Sequence, residues 1–295
     1  MSSGMKKALI VAACIAAVGL LLIGISFIVG NRGVFEEYRI PDYSYGANKA
    51  VEPYYVNDME LDAFTSVKVD VVNADISIVK STSYGIEIDY QDSRYNPTYR
   101  VGNNTLTVKD DPVRNVRRFW DLFSFNFWRN NGLSLKRGQI TVYLPEHEYE
   151  SIELENVNGG ITISDTYVDR LDAECVNSTI SMENVKTNRA TWTSVNGKIE
   201  ARELTGSNIN IECVNGSIEL SGELSGKCRF ETVNGTISID TALERNQYDL
   251  DLSTVTGKVF LDGQDHKKGL ESDTGAANSL YAETVNGRIE INFGK

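Results

Sequence analysis

Val195-Asn196-Gly197-Lys198-Ile199-Glu200-Ala201 is followed 19 residues later by Val214-Asn215-Gly216-Ser217-Ile218-Glu219-Leu220. The same phrase, or a close variant, begins at Val72, Val157, Val176, Val195, Val214, Val233, Val255 and Val285. Its spacing is 19 from Val157 through Val233 and then loosens to 22 and 30. A fixed period near 20 residues marks a solenoid, in which one rung cannot bury its apolar face alone and neighbours must stack on it.

Aligned on this period, the residues fall into columns. Before the Asn-Gly corner stand Ile152, Leu171, Ala190, Ile209, Cys228, Leu250 and Leu280, and two residues later Leu154, Ala173, Trp192, Ile211, Phe230, Leu252 and Ala282. After the corner come Ile161, Ile180, Ile199, Ile218, Ile237, Val259 and Ile289, then Ile163, Met182, Ala201, Leu220, Ile239, Leu261 and Ile291. The positions between are mostly charged or hydroxylic, so each strand has one buried face on which like residues stack. A weaker apolar position at Val185, Leu204 and Leu224 marks a short third side. The expected fold is all-β: a right-handed parallel β-helix or solenoid with rungs of about 19 residues. A propeller blade needs about 40 residues, and a meander sandwich does not explain a constant period.

Upstream of the regular array the period is already two. Val67, Val69 and Val71 alternate with polar residues, and Asn73-Ala74-Asp75 turns into Ile76-Ser77-Ile78. Ile86-Glu87-Ile88 reads as a further strand, and Tyr99 to Val108 as a hairpin around Gly102-Asn103-Asn104. Residues 34–60 lack clean periodicity and read as a stalk or lead-in that packs on the first strands; the repeat domain occupies 61–295.

The first 33 residues stand apart from the fold. Lys6 and Lys7 precede Ala8 to Val29, 22 residues without a charge, enough to cross a hydrocarbon core roughly 30 Å thick. A cleaved signal peptide is the competing reading, but it would have a shorter apolar core and a small-residue cleavage site. An uncleaved signal anchor fits better, with residues 1–33 as cytoplasmic tip and membrane helix. A modest basic bias at the N-terminus favours residues 34–295 outside a bacterial cytoplasmic membrane.

The formal charge of −12 excludes a nucleic-acid partner, because no net basic field exists to displace counterions from phosphates. His147 and His266 are the only histidines and lie far apart, so no metal or cofactor is expected. Cys14 falls in the membrane run. Cys175 and Cys213 share a column two rungs apart and Cys228 lies in another; all three read as free, buried, small hydrophobes.

Asn158, Asn177, Asn196, Asn215, Asn234 and Asn286 form one column, with Thr256 the exception. They read as a buried ladder passing amide hydrogen bonds from rung to rung, with the following Gly supplying a positive φ. Three of them also fit the glycan-acceptor pattern (Asn177-Ser178-Thr179, Asn215-Gly216-Ser217, Asn234-Gly235-Thr236). On the outer face Glu155, Glu174, Glu212, Glu231 and Glu283 make an acidic column interrupted by Thr193 and Ser253. It reads either as a place for a divalent cation or basic ligand, or as a solvated face offset by Arg229 and Lys198.

The strongest candidate for contact is the insertion at 112–138. Six of the ten residues from Phe119 to Trp128 are aromatic, and Arg114, Arg117, Arg118, Arg129, Lys136 and Arg137 face a single acid, Asp121. Val113, Val116, Trp120, Phe123 and Phe127 follow helical spacing. Phe119, Trp120, Phe123, Phe127 and Trp128, with Arg114, Arg117, Arg118 and Arg129, suit an anionic membrane surface or a partner groove. The same helix could instead cap the open first rung.

The Ile-x-Val-x-Leu-Pro strand from Ile140 to Pro145, followed by an Ile-x-Leu strand and the tandem Val-Asn-Gly units, resembles the bacterial β-strand-repeat family labelled "putative adhesin", a domain of unknown function. The resemblance covers roughly residues 60–295. It implies a membrane-anchored β-solenoid at the cell surface, linked to adhesion or envelope-stress sensing, and carries over no catalytic residue. The expected activity is therefore non-enzymatic binding, to another envelope protein or a surface glycan. The alternatives are a structural scaffold associating end to end through an open last rung (Ile289, Ile291, Phe293) and, more remotely, a carbohydrate-active β-helix enzyme using the 262–279 excursion.

Overall fold

The computed structural model describes residues 53–90, 97–110 and 137–295, all within one compact unit, Val51–Lys295. The apolar run at 8–29 and residues 112–136 of the insertion lie outside the described residues.

The strands, in chain order, are β1 (Tyr54–Asp58), β2 (Ser66–Val71), β3 (Ala74–Ser81), β4 (Gly85–Tyr90), β5 (Pro97–Gly102), β6 (Thr105–Asp110), β7 (Gly138–Pro145), β8 (Glu148–Asn156) and β9 (Ile161–Cys175). There follow β10 (Ile180–Asn196), β11 (Ile199–Ser207), β12 (Ile209–Asn215), β13 (Ile218–Ser225), β14 (Lys227–Asn234), β15 (Ile237–Thr241), β16 (Tyr248–Thr254), β17 (Val259–Leu261), β18 (Gln264–Asp265), β19 (Gly269–Ser272), β20 (Asn278–Asn286) and β21 (Ile289–Phe293). The only helical turn among the described residues is Arg245–Gln247, and no helix there is long and apolar enough to cross a membrane.

Each Val-Asn corner joins a strand of a first sheet to a strand of a second, and the next rung pairs with it in parallel. Ile180 lies between Ile161 and Ile199, and Trp192 between Ala173 and Ile211. β9 and β10 are long because they run on from the second sheet, across the short third side, into the first sheet of the following rung. The inward columns are the core: Ile161, Ile180, Ile199, Ile218, Ile237 and Ile289 are all fully buried. Each such side chain contributes roughly 1.5–3 kcal/mol. Trp192 fits because Ala173 and Ala190 leave room beside it, so volume is conserved along the column.

Both ends depart from a simple coil. β2 and β3 pair with β8 and β9, while β6 and β7 lie on their far side. There the chain turns antiparallel: β4 pairs with β7, β1 with β4, and β5 with β6. The Tyr99 hydroxyl donates to Asp58 at 2.9 Å and the Tyr54 hydroxyl to the Pro97 carbonyl, clasping the outermost strands together. β1, at the end of the 34–60 segment, pairs with β4. The β5–β6 hairpin turns at Asn103 and Asn104, both at positive φ (51° and 57°), the backbone that a two-residue hairpin requires.

At the other end the expected open last rung is not open. β21 pairs with β15 on one side and β17 on the other, and β20 lies between β14 and β16. The last rung in sequence is next to last in space. The terminal rung is β16–β17, covered by β19 and β18 in antiparallel pairing, so the 262–279 excursion contributes the cap. Unpaired edges invite association; here they are confined to short antiparallel strands.

The third side also differs from expectation. Val185 and Leu204 share a column, but the register shifts between Ala201 and Leu204, and Leu224 pairs with Gly206. One fewer residue rounds that corner: Glu203, at φ 51° like Asp165 (49°) and Asn184 (51°), has no counterpart in the next rung, where Gly222 takes φ 144°.

Candidate binding faces

The Val-Asn-Gly corner combines three columns with separate tasks. The first is a row of buried donors. Cys175 Sγ donates to the Gly159 carbonyl, Cys213 Sγ to Gly197, Thr232 to Gly216, Thr284 to Gly235 and Thr254 to Gly287, at 3.1–3.3 Å. Asn156 and Ser194 occupy the same column. A buried carbonyl without a donor costs about 1–3 kcal/mol, which explains why Cys, Ser, Thr and Asn interchange here while the other inward columns are apolar. Cys175, Cys213 and Cys228, the cysteines among the described residues, are free and buried, as expected. They are nevertheless donors rather than mere space-fillers, and burial pushes the Cys175 and Cys213 thiols up to about 11.

The second column is glycine, and its reason differs from the expected one. Only Gly159 among the corner glycines has a positive φ (137°). The common constraint is approach: a Cβ at Gly216 would meet the Gly197 oxygen at 1.9 Å, and one at Gly197 the Ser178 oxygen at 1.8 Å. The backbone of one rung rests directly on that of the next.

The third column is asparagine. Asn177, Asn196, Asn215, Asn234 and Asn286 each donate Nδ2 to the Oδ1 of the preceding rung at 2.8–3.1 Å, beginning with Asn158. Thr256 Oγ1 ends the row on Asn286 Oδ1. The ladder is as expected, but its burial is not. Asn177 through Asn286 are exposed, because the chain swings outward at the corner and breaks the strand's inward parity.

The acidic column lies on the outer face of the first sheet. Pairing places Lys109, Asp70, Glu155, Glu174, Thr193, Glu212, Glu231, Glu283 and Ser253 in one row. Burial raises the carboxyls of Glu155, Glu174 and Glu231 above the usual range, and neighbouring acids push in the same direction. Cations answer from the flanking column: Lys68 reaches Glu153 (2.6 Å) and Glu155 (3.8 Å), Arg170 reaches Asp172, and Arg229 binds Glu231. Glu283, 4% exposed, accepts from the Tyr281 hydroxyl, and Arg229 lies over the Tyr281 ring. Lys198, expected to offset this column, is on the other sheet and pairs with Glu200 and Glu219. Within the row, Glu155 and Glu231 are thus paired with cations, while Arg170 serves Asp172 in the flanking column, and no cluster of metal-ligating side chains gathers among the described residues.

Phe119, Trp120, Phe123, Phe127, Trp128, Arg114, Arg117, Arg118 and Arg129 lie outside the described residues. Arg137, at the end of that insertion, contacts Asp75 at 3.4 Å.

The repeat pattern decides the relationship. A family model described as Toastrack DUF4097 matches residues 64–221 and again 159–292. The chain belongs to the Toastrack family. Solved structures similar to this Toastrack chain include a "putative lipid binding protein" from Parabacteroides distasonis, 14% identical over 83% of this chain and 97% of that one, with a TM-score of 0.49. Two more are a "putative adhesin" from Bacteroides fragilis (12% identical, 82% of this chain, 97% of that one, TM-score 0.37) and a "putative cell adhesion protein" from Clostridium sporogenes (12%, 82%, 100%, TM-score 0.32). No curated protein matches.

Proposed function

We propose that this Toastrack chain is a single-pass, membrane-anchored surface protein that acts by binding, as an adhesin-like or envelope-sensing module, without catalysing a reaction. One observation carries the reading: the inward side chains of the described rungs are buried and mostly apolar, so the chemistry-bearing side chains stand in straight rows on long sheet faces and corners. Such surfaces suit an extended partner, another envelope protein or a surface glycan, better than a small substrate held in a pocket. The apolar run from Ala8 to Val29 supplies the anchor, and the aromatic and basic insertion supplies the most concentrated contact chemistry.

The test is flotation of residues 34–295 with anionic liposomes, native and with Trp120→Ala and Trp128→Ala together. The expected outcome is flotation of the native protein and its loss in the double variant. Equal flotation of both, or of neither, removes the insertion from the contact surface.

A further inference from the structure

The rung made by β20 and β21 sits between two rungs that precede it in the chain. In sequence, β14–β15 is followed by the linker 242–247, then β16–β17, then the excursion 262–277, and only then β20–β21. In space β20–β21 separates the other two, parallel to both.

The two walls of this cleft are held to each other without the strands that fill it. Tyr248, which opens β16, is 1% exposed, and its hydroxyl reaches the Leu224 carbonyl and, at 2.9 Å, the Thr241 hydroxyl. Ala242 at the head of the linker donates to Gly222. The far side of the terminal rung is covered by β18 and β19.

The filling segment docks by generic rules: a parallel ladder on each edge, inward Leu280, Ala282, Ile289, Ile291 and Phe293, and a Val-Asn-Gly corner. Its connection to the terminal rung is narrow. Gly275, at φ 72° and with open space around it, is pinned by one carboxylate: Asp249 Oδ1 accepts from Thr274 N (2.7 Å), Thr274 Oγ1 (3.0 Å) and Ala276 N (3.2 Å).

We propose that the cleft between β14–β15 and β16–β17 is a strand-accepting site, filled within the chain by residues 278–293, whose second ligand is the same segment of another copy. The segment swings about Gly275 once the Asp249 clasp opens, and two chains exchange it reciprocally. Exchange of an identical element needs no new complementarity, and every pairing partner in the cleft is the one already described.

The experiment uses two full-length preparations in detergent with different affinity tags, mixed at high concentration, with mixed-tag dimers counted over time. A Ser238→Cys, Glu290→Cys pair, register partners on the outer face of β15 and β21, locks the segment in place when oxidised. The expected result is mixed dimers from the native chain, at least about tenfold fewer from the oxidised lock, recovery on reduction, and faster mixing for Asp249→Ala. Mixing unaffected by oxidation overturns the proposal, as does an absence of mixed dimers in both the native and the Asp249→Ala chains. Reducing the lock changes no residue, so loss of folding cannot imitate the result.

Discussion

Between Ile161 and Thr241 the rungs stack in the order in which the chain makes them; at the two ends that order breaks. The middle is a parallel coil throughout. At the N-terminal end β2–β3 is enclosed by β6–β7, and at the C-terminal end β20–β21 by β16–β17, with antiparallel strands outermost at both. The repeat therefore specifies what a rung is, and not where it goes. Position is decided by the requirement that no long parallel edge be left bare.

Substitutions can break or sharpen this contrast. The largest effect is expected for Trp192→Ala in the middle, where the removed ring leaves a cavity with no rung free to collapse into it. Denaturant unfolding should show a loss of about 3–5 kcal/mol. Next, Gly216→Ala forces a Cβ onto the Gly197 oxygen and should cost about 2–3 kcal/mol. Gly102→Ala in the terminal hairpin, where an added Cβ meets nothing within 4 Å, should stay within about 0.5 kcal/mol. Similar losses at both sites would show that the corners are no more constrained than the ends.

A smaller effect is expected at the ladder. Asn196→Ala removes bonds to the rungs on both sides and should lower stability by about 1 kcal/mol. Thr256→Val at the end of the row removes contacts to one neighbouring rung only, so thermal melts should show a smaller shift.

The smallest effect has the opposite sign. Glu174 faces Glu155 in register, and Glu174→Gln should stabilise by roughly 0.2–1 kcal/mol at pH 7. The pH dependence follows from the same burial. Glu155, Glu174 and Glu231 are raised from the ordinary 4.5, so the folded chain binds their protons more tightly than the unfolded one. Their contribution is fully present below that ordinary value and is lost as pH rises through the folded values. Asp169, Asp249 and Asp265 are lowered from 3.8, chiefly by hydrogen bonds from Asn188 and Arg189, from the Thr274 and Ala276 amides, and from Lys258. Their contribution persists until pH falls through those lower values. The melting temperature should thus rise from pH 7 toward the ordinary carboxylate range and fall in stronger acid, with the first slope shallower in Glu174→Gln.

The rung, its two inward faces, the asparagine ladder and the Asn103-Asn104 turn were legible because each depends on residues close in sequence. The interleaving was not, because β20–β21 carries the same columns as every other rung and nothing in its own residues distinguishes an inner place from an outer one. The glycine column misled for a related reason: a glycine needed for left-handed backbone and one needed for close approach look alike until the neighbouring carbonyl is placed. The donor column was readable in principle. Asn156, Cys175, Ser194, Cys213, Thr232, Thr254 and Thr284 all carry a proton to give, and reading the cysteines by hydrophobicity alone concealed it. The acidic row was visible, but the pairing of Glu155 with Lys68 and of Glu231 with Arg229 depends on side chains two residues away along the strand or across it.

The asparagine ladder has an electrical consequence. Every amide from Asn177 to Asn286 donates toward the same end, so the side-chain dipoles add head to tail instead of cancelling. Along one exposed edge the protein carries an axial polarity built from side chains, positive toward the β1–β5 end and negative toward β18, in a sheet architecture whose backbone supplies little dipole of its own.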